Sequence, residues 1–71
     1  MTDVLAALNG LGLSETEIVI YQAVLATGSR PASVIAKKAG LKRAHTYNIL
    51  EALKEKGIVQ ETIKNGVRHY S

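Results

Sequence analysis

Apolar residues recur along the chain in short stripes of helical period, cut apart by glycines, until the pattern changes near residue 58. Val4, Leu5 and Leu8 make a brief stripe, predicting a short N-terminal helix over 3–9 before "NGLG" interrupts it. "SETE" then sets Ser14 three residues ahead of Glu17. That is the spacing of a capping box, in which hydroxyl and carboxylate each accept a free N–H at a helix start. It predicts a helix over 15–27, stopped by Gly28, with Ile18, Tyr21 and Leu25 on its main face. Val19, Ile20, Ala23 and Val24 make the same helix apolar nearly all round. Burial on two sides is therefore expected, the second side meeting the N-terminal helix or another subunit.

A shorter helix follows over 32–39, with Val34, Ile35 and Ala39 expected inward, Pro31 in its first turn and Gly40 at its end. Three or four residues on, "LKRAHTYNILEALKEKG" predicts a helix over 42–56. Residues 58–71 then read as two β-prone runs about Asn65-Gly66, a strong hairpin signal expected as a type I′ turn. A two-residue turn sets Lys64 opposite Val67, Thr62 opposite His69 and Gln60 opposite Ser71. Val59 and Tyr70 then share the other face and can seal a core at the hairpin base. So short a link between the second and third of these main helices forces a steep crossing. The expected fold is mainly α with a small β-hairpin: a winged helix-turn-helix. It comprises an extra short N-terminal helix, a three-helix core and a C-terminal wing, forming one domain over 1–71.

The 42–56 helix carries the candidate chemistry. On a wheel of about 100° per residue, Thr46, Ile49, Leu50 and Leu53 fall on one arc, a core face. Ala44, Asn48, Glu51 and Glu55 centre the opposite arc, flanked by His45 and Tyr47. The first two turns thus present Lys42, Arg43, Ala44, His45, Tyr47 and Asn48, and carboxylates come only later. In a helix-turn-helix it is this leading end that enters the major groove. Arg can pair bidentately with guanine and Asn with adenine, while Ala44 leaves room for a thymine methyl. The positive end of the helix dipole suits phosphate, which acids would repel. A lone Arg or Lys at a helix start is ordinarily just solvated, and Tyr47 lies at an angle equally suited to packing and to phosphate contact. At the hairpin tip Lys64, Asn65 and Arg68 could reach an adjacent groove or phosphates, although Asn-Gly is also what the turn itself requires.

Charge distribution points the same way. All nine Lys and Arg lie beyond residue 28, opposed there only by Glu51, Glu55 and Glu61, whereas residues 1–28 carry Asp3, Glu15 and Glu17. Such asymmetry suggests a packing half and a half facing a polyanion. Composition narrows the remaining classes. Hydrophobic residues are 46% of 71, too many for a disordered tail. With no cysteine, disulfides, thiolate metal sites and thiol catalysis are excluded for these residues. His45 and His69 are the only histidines and have no acidic partner at ligand spacing, so no metal site is expected. No run approaches the ~20 apolar residues of a membrane span, and the first residues lack the cationic start of a secretion signal. A cytoplasmic protein with no membrane partner is the expectation. "GLG" at 10–12 matches no dinucleotide or phosphate loop, and no catalytic grouping is suggested, so neither an enzyme nor a cofactor is expected.

Taken together, "LGLSETEIVIYQAVLATG", "ASVIAKKAGLKRAHTYNILEALKEKGIV" and "KNGVRHYS" resemble the N-terminal DNA-binding domain of TrmB-type transcriptional regulators, with MarR-like winged helices sharing much of the pattern. The resemblance covers about residues 11–71. It implies a recognition helix at "LKRAHTYNILEALKEKG", a wing at "KNGVRHY" and double-stranded DNA as the partner. Members often carry Arg where this chain has His45, which weakens the case for a bidentate guanine contact there, and Ser or Thr near Pro31. They usually continue into a dimerisation helix and a sugar-binding domain. A longer regulator is therefore implied, with no small-molecule effector site in these residues. A homodimer is expected, because Val19, Ile20 and the N-terminal helix offer more apolar surface than one small core needs. The rival reading is a winged helix that binds a protein partner, since fold alone does not dictate function.

Overall fold

The computed structural model describes residue 10 and residues 12–71; the helix expected over 3–9 lies outside the described residues. Ser14 opens the first helix as the sequence requires. Its hydroxyl accepts the Glu17 N–H at 3.2 Å, and the Glu17 carboxylate accepts the Ser14 N–H at 3.0 Å. Helix α1 (Glu15–Thr27) ends at Gly28, whose N–H donates to the Val24 carbonyl at 2.9 Å. Two extended residues, β1 (Arg30–Pro31), lead into α2 (Ala32–Ala39). Gly40 then turns the chain in a left-handed conformation (φ 74°, ψ 28°) that costs a glycine little. Only Leu41 and Lys42 follow before α3 (Arg43–Glu55) begins.

The hairpin joins β2 (Glu61–Lys64) to β3 (Val67–Tyr70) through Asn65 (φ 52°) and Gly66 (φ 76°), both positive as a type I′ turn demands. Lys64 pairs with Val67 and Thr62 with His69, and Gln60 and Ser71 exchange backbone hydrogen bonds beyond them. The sheet holds one strand more than the expected hairpin. Its order is β1-β3-β2, all antiparallel, with Arg30 opposite Tyr70 and Pro31 opposite His69. Pro31 is tolerated there because β1 is an edge strand, where a missing N–H breaks no central ladder.

The core lies between the three helices and is closed by the hairpin base. Ile18, Ile20, Ala23 and Val24 come from α1, Ala32, Ile35 and Ala36 from α2, and Thr46, Leu50 and Leu53 from α3. Val59 and fully buried Tyr70 seal it from the sheet side. Two expected core residues are exposed instead. In α1, Ile20, Ala23, Val24 and half-buried Thr27 make one inward arc, while Ile18 is buried on the other side. Leu25 shares the angle of Ile18 about two turns further on but is 60% exposed. In α2 the inward arc is Ala32, Ile35, Ala36 and half-buried Ala39, and Val34 stands on the opposite side. Among the described residues, no helix is long and apolar enough to cross a membrane.

Candidate nucleic-acid interface

The tight turn at Gly40 sets the start of α3 at the surface beside the start of α2. Lys42 occupies the N-cap position of α3 without a side-chain capping bond, and the first turn contains no acid. Lys42, Arg43, Ala44, His45 and Asn48 are all exposed, while Thr46, Leu50 and Leu53 anchor the opposite face. The free N–H groups at this end and the neighbouring cations give it a positive potential. Among the described residues, no three His, Asp or Glu converge as a metal site would require.

Between α3 and the wing lies a groove of about 800 Å³. Arg43, Ala44, Tyr47 and Asn48 line one wall, Gly66, Val67 and Arg68 the other, and Pro31, Ala32 and Ser33 its end. The sequence singled out all four residues of the α3 wall but not Ser33. That exposed hydroxyl sits in the first turn of α2, and only the α2–α3 crossing brings it to the groove. His45 faces the other way, into a second depression with Glu17, Ile49 and Lys56.

Tyr47 packs through its ring and leaves its hydroxyl at the groove. Its half-buried ring meets Tyr70 edge-on, with centroids 6.5 Å apart and planes at 83°. Its hydroxyl reaches the groove, where Arg68 Nη1 donates to Tyr47 Oη and the guanidinium carbon lies 5.9 Å from the ring centroid. Arg68 is therefore folded back against α3 with its side chain still 52% exposed, and Lys64 and Asn65 stand exposed at the tip.

Behind this wall a polar chain ties helix to sheet. Tyr70 Oη donates to the Glu51 carboxylate at 2.8 Å, and Lys54 Nζ donates to Glu51 at 3.0 Å and to Glu61 at 2.7 Å. The Arg68 Nε lies 3.7 Å from the other Glu61 oxygen. Glu51 was placed on the outer arc by its wheel angle, but it is half-buried and engaged by both partners. Lys54 first, and then the Tyr70 hydroxyl, hold its carboxyl below the usual range. Burial pushes the Tyr70 phenol up to about 12, with the Glu51 carboxylate adding to the shift. At the far end of α3, Lys56 binds Glu17 at 2.8 Å, and this bond is the main cause that lowers the Glu17 carboxyl.

Three helices, the last two joined by a short turn at Gly40, with a small antiparallel sheet and an exposed, acid-free start to the third helix, define a winged helix-turn-helix. The chain belongs to the TrmB family: residues 8–71 match the family described as "Sugar-specific transcriptional regulator TrmB". Membership places it among transcriptional regulators, for which DNA binding is the function class. No match was found among curated proteins or among solved structures.

Proposed function

We propose that the chain binds double-stranded DNA sequence-specifically, with the start of α3 in the major groove and the wing on the adjacent backbone or minor groove. Arg43 and Asn48 are the base readers, Ala44 permits close approach, and Lys42, His45 and Tyr47 meet the flanking backbone. Lys64 and Asn65 extend the contact from the wing tip, with Arg68 between tip and helix. One observation supports this most: the exposed first two turns of α3 hold cations and an amide but no carboxylate, and they share a groove with the wing. A homodimer fits the same reading. Val19 and Leu25 leave apolar surface on α1, and two copies would place α3 in successive major grooves roughly 34 Å apart.

Selection of bound sites from random duplex DNA tests the proposal. The expected result is a short motif repeated with two-fold symmetry. A single unrepeated motif would remove the dimer. No enrichment at low salt would remove DNA reading and leave the protein-binding winged helix in its place.

A further inference from the structure

Arg68 projects from the wing, where a cation would ordinarily be assigned to a phosphate. Its surroundings assign it otherwise. Lys54 and Arg68 face Glu51 and Glu61 in one chain of contacts, so two cations are matched by two carboxylates. Two of the Arg68 nitrogens are already engaged within the protein, Nε 3.7 Å from Glu61 and Nη1 on the Tyr47 hydroxyl. Lys64, by contrast, makes no ion pair among the described residues.

The bond to Tyr47 has a chemical consequence. A phenol oxygen that accepts an N–H keeps its own hydrogen for a different acceptor. Arg68 occupies the acceptor side of Tyr47 Oη, and Tyr70 fixes the ring from its edge. The remaining O–H is therefore free for another acceptor, on a side chain that lines the groove, and the adjacent cation polarises it into a stronger donor. A phosphate oxygen lying along the groove is the matching acceptor.

We propose that Arg68 is a positioning residue: it acts through Tyr47, orienting that hydroxyl to donate to a DNA phosphate, and does not itself neutralise one. The inference rests on the DNA reading above and gives Tyr47 and Arg68 a joint role within it.

A double-mutant cycle on duplex binding, measured across salt concentrations, tests it. Loss of one such hydrogen bond weakens binding about three- to ten-fold. Tyr47→Phe and Arg68→Ala should each show that loss, and the double variant should bind no worse than Tyr47→Phe alone. The slope of log K against log salt should be unchanged in all three, because no counterion-releasing contact is removed. Arg68→Gln, which keeps an N–H donor without the charge, should recover part of the affinity. Its own cycle with Tyr47→Phe serves if Arg68→Ala does not fold by circular dichroism.

Additive losses would overturn the inference, as would a slope reduced by about 0.9 in Arg68→Ala or wild-type affinity in that variant. Duplex binding by the unmodified chain with any of those patterns leaves the DNA reading standing and removes only the role of Arg68. No binding by the unmodified chain at low salt removes both.

Discussion

Thr46 brings a hydroxyl into the core of α3 with no hydrogen-bond partner for it among the described residues. Its backbone N–H is used, donating to the Lys42 carbonyl at 2.9 Å, but Oγ1 is not. A buried polar group left unmatched costs about 1–3 kcal/mol, and valine has nearly the same shape. Thr46→Val should therefore raise stability by roughly 1 kcal/mol in urea unfolding, with DNA affinity unchanged because the residue faces away from the groove. A less stable variant would show that the hydroxyl is satisfied after all. The core side of this helix was legible because Thr46, Leu50 and Leu53 repeat at helical spacing, and the same spacing exposes Arg43, Ala44 and Asn48. Glu51 was not legible. Its angle points outward, and the wheel shows its neighbour Lys54 one turn on but not Tyr70, which arrives from the sheet to bond the carboxylate.

At the scale of elements, the joint between α3 and the sheet centres on Tyr70, which is buried beneath the wing and bonded to Glu51. Its folded-state pKa of about 12 stands above the ordinary value of 10.0, so the native state holds the phenol proton more tightly than the unfolded chain. The contribution is fully present below pH 10 and is lost as pH rises from there toward 12. Tyr70→Phe gives up a hydrogen bond to a carboxylate, which should cost about 1–2 kcal/mol at neutral pH. The gap between variant and wild type should then close between pH 10 and 12 in chemical denaturation. A gap constant across that range would mean that Tyr70 does not titrate with folding. The elements themselves were legible where their signals are local. The Ser14–Glu17 capping box and the Asn65-Gly66 turn are each set by a few adjacent residues. Strand β1 has no such signal, since two residues cannot show alternation and their partner β3 lies at the other end of the chain. Leu25 was misplaced for a related reason: α1 is apolar nearly all round, so its pattern carries little information about phase.

Across the whole molecule, the cations beyond residue 28 are not equivalent. Lys56 is committed to Glu17 at the far end of α3, and Lys54 and Arg68 are matched by Glu51 and Glu61. The charge asymmetry read from the sequence thus overstates what faces a polyanion, because sequence shows the sum and not which charges are already paired. What remains on the proposed face is the start of α3 and the wing tip, where Lys64 is exposed and makes no ion pair among the described residues. A cation of that kind releases a counterion when it meets a phosphate, adding about 0.9 to the slope of log K against log salt on duplex DNA. Lys64→Ala should lower affinity for all sequences alike and flatten that slope by about 0.9 per protomer, without altering the selected motif. Binding titrations between 50 and 200 mM salt, roughly the range over which such contacts are weakened most visibly, measure both quantities. An unchanged slope would take the wing off the DNA and leave α3 as the sole point of contact. A slope that flattens while the motif also changes would make Lys64 a reader of sequence and not only of charge.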